Sequence, residues 1–475
     1  MNFKEQLDKV SVFGVISKCA KELGFPAYVI GGYVRDLVLN RPSKDIDIVC
    51  VGSGITLAKL VAEQLGNTSN VTVFKNFGTA MLKSGEVEVE FVGARKESYN
   101  RGSRSPIVEN GTLEDDQNRR DFTINAMGIS LNTKDYGELM DPFGGLKHIS
   151  EKLIKTPLDP KVTYSDDPLR MMRAIRFATQ LKFDIEHDSF VAIQDCAERI
   201  KIVSMERVIV ELNKIILADK PSFGFLLLFH CGLLQLIFPE FLDLKGVEKR
   251  DGLSHKDNFF HTLQVLDNIS ETTDDLYLRW AAILHDIAKP RTKRFNKKSG
   301  WTFHGHEDMG ARMVKPIFKK LKMPLDDRMK FVEKLVRLHL RPIALVKDTI
   351  SDSAIRRLLY EAGDDLEALM KLCRADITSK NKVKVKKFLT NFNKLEEKVM
   401  VVEERDHIRN FQPVITGELI METFGLSPSR LVGEIKTEIR ESILEGKIKN
   451  EMDEAFSYML EIGEKHKLSV VSKSN

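Results

Sequence analysis

Cysteine is scarce in this chain, and no two cysteines form a C-x-x-C pair. The five are Cys19, Cys50, Cys196, Cys231 and Cys373 among 475 residues. Thiols so far apart, mostly in apolar surroundings, give no disulfide framework and fit reduced core side chains of a cytoplasmic protein. Long apolar runs are also absent, so no helical membrane span is expected. The first residues, MNFKEQLDKVSVFGVISKCAKELG, read as one amphipathic helix with acidic residues inside it, not as a signal peptide. Charge of one sign is lacking too. A net charge of +4 over this length says little by itself about a nucleic-acid partner. There is no internal repeat and no low-complexity segment. What remains, 42% hydrophobic and 30% charged residues, describes a soluble globular chain too long for one core, with three or four domains.

The stretch that organises the rest runs from Ile30 to Val49, IGGYVRDLVLNRPSKDIDIV. A strand-like run ends at Ile30, Gly31 and Gly32 make a turn, and a short helix carries Arg35 and Asp36. A second strand presents Asp45 and Asp47. Glycines at a strand–helix junction let backbone amides approach a phosphate. Residues two apart on a strand share a side, so the two aspartates project together while Ile46 and Ile48 face the core. Paired carboxylates repel unless a cation lies between them, and hard oxygen ligands suit Mg²⁺. By itself a D-x-D pair is equally a polar sheet face. With G-G-x-V-R-D ahead of it, the stretch resembles the first motif of the nucleotidyltransferase superfamily. More narrowly, it resembles the class II tRNA nucleotidyltransferases and bacterial poly(A) polymerases.

Further β-like runs, Val71–Phe74, Thr79–Leu82, Val87–Val92 and Met127–Leu131, fit a small mixed sheet in a head of residues 1–150. Strict alternation places Glu86, Glu88 and Glu90 on one face. The first two read as solvated, and Glu90 is a candidate third carboxylate. Arg95–Asn110 is polar, with Gly, Pro and Ser, and reads as a loop whose arginines either follow phosphates or are solvated. Arg119-Arg120-Asp121-Phe122-Thr123-x-Asn125-Ala126 matches the family's second motif. Arg120 can neutralise triphosphate charge, Asp121 can accept from ribose hydroxyls, and Asn125 braces the turn. Asp141-Pro-Phe-Gly-Gly145 closes the head with a turn.

In a helical neck, residues 151–240, Arg170, Arg173 and Arg176 recur every third residue behind Asp166-Asp167-Pro168. Like charges so placed need an anion, or else form a solvated stripe. The resemblance implies that Asp167 and Arg170 read the base edges of CTP and ATP, since a carboxylate accepts from the amino group that C and A share. Asp166 in place of the usual Glu, and Pro168, depart from the family pattern and leave open which nucleotides are taken. Ser204-Met-Glu206 reads as a capping-box-like helix start, with charges that brace the neck.

Residues 241–380 hold His255, His261, His285, His304, His306 and His339, with His261 and the His285–Asp286 pair on amphipathic helices. A lone helical histidine is usually structural. This ordered set resembles the HD-domain phosphohydrolases, which implies His261, His285, Asp286 and Asp376 as ligands of one metal and His306 and His339 as completing a second site. The ion is Mg²⁺ or a divalent transition metal. Such a domain is either a phosphohydrolase or a structural metal site. The cationic segment Arg291–Lys298 lies along RNA or is an ordinary solvated loop. Residues 381–475 are Lys/Glu-rich and helical and resemble the RNA-gripping tail of bacterial members.

The expected fold is therefore α+β: a nucleotidyltransferase head with a small mixed sheet, followed by all-α neck, HD and tail domains. The resemblance implies Mg²⁺-dependent addition of CMP and AMP, from CTP and ATP, to a tRNA 3′ end, with neither DNA nor membrane as partner. Asp45 and Asp47 would be catalytic metal ligands. Gly31, Gly32, Arg35, Asp36, Arg120, Asp121, Asp167, Arg170, Arg173 and Arg176 would bind nucleotide. A poly(A) polymerase, a partial CC- or A-adding enzyme, and an RNA-binding phosphohydrolase with an inactive head are the alternatives.

Overall fold

The computed structural model describes residues 1–66, 71–75, 78–98, 107–346, 351–379, 381–409 and 411–471. The chain divides into two compact units, Met1–Leu242 and Asp243–Asn475.

The first unit begins with two short helices, Lys4–Asp8 and Ser11–Leu23, where the sequence predicts one. The break frees Ser11–Leu23 to bury Val12, Phe13, Ile16 and Cys19 as its own apolar stripe. Strand β1 (Ala27–Ile30) follows, then β2 (Asp45–Cys50), β3 (Val71–Phe74), β4 (Thr79–Ser84) and β5 (Val87–Gly93). Next come β6 (Arg95–Ser98), β7 (Ile107–Asn110), β8 (Gly128–Ser130) and β9 (Leu139–Met140). Seven of these form one sheet in the order β3-β4-β5-β2-β1-β8-β9. It is mixed, because β2 runs parallel to β5 and antiparallel to β1. Helices Ser11–Leu23 and Gly54–Gln64 pack on each other, and the second lies against β4 and β5. Ile46, Ile48, Val89 and Phe91 are buried. Their alternating neighbours, Asp45, Asp47, Glu88 and Glu90, therefore point to the other side of the sheet.

The reading of Arg95–Asn110 as a loop is corrected: β6 and β7 pair as an antiparallel ladder. Polar composition concealed an alternating ladder that buries little. The tip of that segment, 99–106, with its arginines, lies outside the described residues.

Behind the sheet come helices Pro160–Asp166, Leu169–Leu181, His187–Cys196, Met205–Ile216 and Pro221–His230. Leu169–Leu181 packs on Met205–Ile216 and on Pro221–His230, burying Met171, Met172, Ala174, Ile175 and Ala178. Two features depart from expectation. Leu153–Ile154 and Asp184–Ile185 form a short parallel pair. Ser204 is an N-cap without a side-chain hydrogen bond, so the capping box does not close.

In the second unit, helices Asn258–Ser270, Leu276–Leu284, His306–Lys320, Asp327–Leu338 and Leu366–Asp376 form one bundle. Asp257 and Asp275 start the first two by accepting from the amides of Phe259 and Tyr277. Arg291–Lys298 is not a simple loop. A turn of helix, Lys289–Thr292, leads into strand Arg294–Asn296, which pairs with Gly300–Thr302. Helix Asp352–Ala362 packs against Lys382–Asp406 and Arg430–Glu445. Helices Gly417–Phe424 and Met452–Lys465 complete the described part. Among the described residues no helix is long and apolar enough to cross a membrane.

Candidate active site and metal centre

The register of the head sheet builds the first site. Asp47 pairs with Ile30 on β1 and, on the other side, with Glu90 on β5. Asp45 lies two residues before Asp47, opposite Glu88. Chain reversal at Gly31 brings the backbone over this pair. Its φ is +85°, and a Cβ there would lie 2.9 Å from Arg120 Nη1 and 3.3 Å from Asp47 Oδ2. Only glycine fits both the left-handed backbone and the gap. Burial pushes the Asp47 carboxyl up; Arg120 opposes this, while Asp45 and Asp116 add to it. Burial and Asp47 likewise push Glu90 up, against Thr79 and Arg95. A cation between these carboxylates would relieve the repulsion, which is the physical test that a metal fits here.

The arginines are more committed than their spacing suggests. Arg35 donates to both oxygens of Asp36, at 3.0 and 2.9 Å, and to Asn125 Oδ1 at 2.8 Å. Arg119 and Arg120 both clamp Asp116, whose side chain is fully buried. Asp121 accepts from the Phe122 amide, from Asn125 Nδ2 at 3.1 Å and from Arg173 Nε at 2.7 Å. Burial alone would raise its carboxyl, but Arg173 and Asn125 hold it down at about 2. Arg170 donates to the Arg119 carbonyl at 2.6 Å. Arg176 pairs with Glu211 at 2.6 Å. Arg173 and Arg176 thus already have carboxylate partners inside the protein and Arg170 a backbone carbonyl, which sequence spacing could not show. Asn125 braces the turn as expected of it.

Phe177 gathers three of these groups. The guanidinium carbons of Arg35, Arg173 and Arg176 lie 5.0, 5.4 and 3.9 Å from its ring centre. Neither Phe177 nor Asp116 stands out as functional in the sequence. Asp116 sits one turn ahead of the paired arginines, and that spacing was the only available signal.

Two clefts meet at these residues. One, of about 530 Å³, is lined by Gly31, Gly32, Arg35, Asp36, Asp45, Asp47, Glu90, Arg120, Asp121, Arg173, Arg176 and Phe177. The other, of about 560 Å³, shares Asp47, Glu90, Arg120, Asp121 and Arg173 and adds Asp167, Arg170 and Arg207. All twelve head and neck residues singled out in the sequence therefore line one or both clefts. Asp167, between helices Pro160–Asp166 and Leu169–Leu181, accepts from the Leu169 amide at 3.2 Å, and its other oxygen faces Arg207 at 3.8 Å.

The histidine cluster forms a second site around one carboxylate. Asp286 Oδ2 lies 3.5 Å from His261 Nε2 and 3.2 Å from His285 Nε2. Asp286 Oδ1 lies 3.3 Å from His306 Nε2 and 3.9 Å from His339 Nε2. Asp376 joins the first group, 2.9 Å from His261 Nε2. Each ring is oriented through Nδ1: His285 on the Ala282 carbonyl, His306 on Phe303, His339 on Val336 and His261 on the Thr378 hydroxyl. A carbonyl can only accept, so in His285, His306 and His339 Nδ1 donates and Nε2 is left to face a cation, whereas the Thr378 hydroxyl can donate or accept and holds His261 in place without setting its tautomer. Nε2 of His285, His306 and His339 is buried with no hydrogen-bond partner. Burial first, then His285, pushes His339 down to about 4, so it stands as the neutral ligand form. Convergent orphaned Nε2 atoms about a shared carboxylate fit one or two divalent cations. His285 and Asp286 lie just past the end of helix Leu276–Leu284, not within it. His255 and His304 stand outside the cluster, His255 edge-on to Trp301 and Phe303.

Comparison with known proteins gives three matches in chain order. Residues 27–155 match the poly A polymerase head domain. Residues 182–244 match the family described as a probable RNA and SrmB-binding site of polymerase A, and 258–380 match the HD domain. The A-adding tRNA nucleotidyltransferase of Deinococcus radiodurans is 29% identical over 89% of this chain and 92% of its own length. The CCA-adding enzyme of Streptococcus gordonii is 26% identical over 93% and 94%. The A-adding enzyme of Aquifex aeolicus is 47% identical over 34% of this chain, a match that spans 19% of that protein. A solved tRNA nucleotidyltransferase, complexed with a primer tRNA and an incoming ATP analog, is 25% identical with a TM-score of 0.57. It covers 80% of this chain and 99% of its own. A CCA-adding enzyme in complex with ATP, 20% identical, shares the fold over 96% and 95% with a TM-score of 0.63. Nucleotidyltransferase heads and HD domains both work with divalent metals. With Asp45, Asp47, Arg120 and Asp121 falling inside the matched head and the histidine cluster inside the matched HD domain, the chain carries a poly A polymerase head domain and an HD domain and is similar along about nine-tenths of its length to tRNA nucleotidyltransferases, both A-adding and CCA-adding.

Proposed function

We propose that the first unit transfers nucleotides from CTP and ATP to the 3′ hydroxyl of tRNA, completing a CCA end and releasing pyrophosphate. The observation that supports it is the placement of Asp45 and Asp47 on one strand face, directly under Gly31 and beside Arg120. Asp45 and Asp47 would hold Mg²⁺, which when bound makes the primer hydroxyl a better nucleophile and offsets triphosphate charge. Glu90, in register with Asp47, is placed to serve as a third carboxylate. Arg120 and the Gly31–Gly32 backbone face the phosphates. Arg173, once drawn from Asp121, would leave that carboxylate free for ribose hydroxyls. Asp167 and Arg170 line the adjoining cleft, where an acceptor and a donor together suit the edge of C or A.

A second reading, addition of the final A alone, is favoured by the names of the Deinococcus and Aquifex relatives. Transcripts of tRNA lacking three, two or one terminal nucleotides, offered CTP or ATP singly, separate the two. CMP incorporation on the shortest transcript supports CCA addition, and AMP incorporation only on the longest supports A addition. Long ATP-only tails would point to a poly(A) polymerase.

The HD cluster reads best as a phosphohydrolase centre holding Mg²⁺ or a transition metal. His261, His285, Asp286 and Asp376 would hold one ion, and His306 and His339 a second, with Asp286 between them. Such an ion supplies a water of lowered pKa. Water adds to phosphorus, the P–O ester bond breaks, and the departing ribose oxygen takes up a proton. Release of phosphate from RNA ending in a 3′ phosphate, lost in His285→Ala, tests this.

A further inference from the structure

Asp376 has a second surface. Besides facing His261, it forms part of the wall of a cavity of about 310 Å³. The cavity's apolar lining comes from Ile343, Ile377, Val385 and Phe388. Two cations, Lys256 and Lys384, stand on the rim. Among the described residues neither lysine has a carboxylate partner, and Asp376 is the one carboxylate of the lining. An apolar wall with an aromatic ring, a cationic rim and an adjacent metal-ligand cluster are the three elements that recognise a nucleoside carrying a phosphate.

Two details tie this cavity to the metal ligands. Lys256 Nζ donates to the Thr378 carbonyl at 3.1 Å, and the Thr378 hydroxyl meets His261 Nδ1 at 2.9 Å. The same residue therefore orients a ligand and anchors the rim. Val385 and Phe388 belong to helix Lys382–Asp406, beyond the residues 258–380 that match the HD domain. Phe388 remains 37% exposed there, a ring surface available to a planar partner.

We infer that this cavity seats the terminal nucleoside of an RNA strand, its base against Phe388 and its 3′ phosphate between the lysines and the metal cluster. The inference rests on the phosphohydrolase reading of that cluster and adds what it would recognise. The tail helix, not the HD bundle, would then choose the substrate class.

The test uses the full chain loaded with Mn²⁺, the head metal ligands removed by Asp45→Ala and Asp47→Ala, and adenosine 3′-phosphorothioate as a slowly cleaved probe. Calorimetry is expected to show the probe binding at least ~10-fold more tightly than inorganic phosphate, since one stacked base adds that much. Phe388→Ala should lose about 10-fold for the probe, with phosphate affinity unchanged and Phe388→Trp restoring the difference. Lys384→Ala should weaken both ligands. Equal affinity for probe and phosphate, or binding indifferent to Phe388→Ala, overturns the subsite. Metal content of the same samples distinguishes the failures. A cluster that takes up no Mn²⁺ overturns the phosphohydrolase reading and this one with it, whereas a loaded cluster with Phe388-independent binding overturns the subsite alone.

Discussion

Arg173 Nε lies 2.7 Å from Asp121 Oδ2, joining helix Leu169–Leu181 to the second head motif across 52 residues of sequence. The carboxylate is nearly buried, while the guanidinium is about one-third exposed. Removing one partner of a buried pair costs roughly 3–5 kcal/mol. Partial exposure of Arg173 lowers that, so Arg173→Ala is expected to cost about 1–3 kcal/mol in urea unfolding of the first unit.

The same pair carries a pH signature. Held at about 2 in the fold, Asp121 is depressed below its unfolded value. Its contribution is therefore fully present above the ordinary carboxylate range and lost as pH falls toward 2. The stability gap between the parent protein and Asp121→Asn should be constant from neutral pH to about 5 and shrink below it. A gap that widens on acidification would contradict this.

Gly31→Ala places a methyl against Arg120 and Asp47 on a backbone at positive φ. A strain of about 1–3 kcal/mol is expected, together with a loss of nucleotide addition of at least ~100-fold. Gel-based incorporation assays beside urea melts separate the two effects. Gly66→Ala, also at positive φ but with open space around it, should show strain and keep activity.

Phe177→Leu retains most of the apolar volume while removing the ring that three guanidinia share. Stability should change by less than about 1.5 kcal/mol. Loss of cation–π support, roughly 0.5–1 kcal/mol per arginine, should raise KM for nucleotide several-fold with a smaller change in kcat. Steady-state kinetics at varied ATP would show the split.

Loss of metal from the histidine cluster should act on the second unit. Chelation is expected to lower the melting temperature of the transition assigned to Asp243–Asn475, by the equivalent of about 3 kcal/mol where metal had been present at a hundredfold its Kd. His285→Ala should abolish both metal content and that response. Nucleotide addition in Mg²⁺ buffer should persist, because no head residue contributes to the histidine cluster.

Much of this was legible in local pattern. Alternation in Asp45-Ile46-Asp47-Ile48 dictated which side chains face the core, since a strand has a period of two. The glycine pair before Arg35 announced a turn for the same steric reason that Gly31 now shows at 2.9 Å. The histidine order could be read because each ligand carries its own chemistry wherever the chain places it. The β6–β7 pairing and the hairpin at Arg294–Thr302 were not legible, because polar strands that bury little lack a hydrophobic period.

By itself, then, the sequence determined which side chains could bind cations and phosphates, and the short-range geometry that aims them. The partner of each arginine, the sharing of Asp286 between two histidine pairs, and the reach of Phe388 to the cavity beside Asp376 were decided by tertiary structure. Charge pairing depends on distances between segments far apart along the chain, and those distances exist only once the helices have packed.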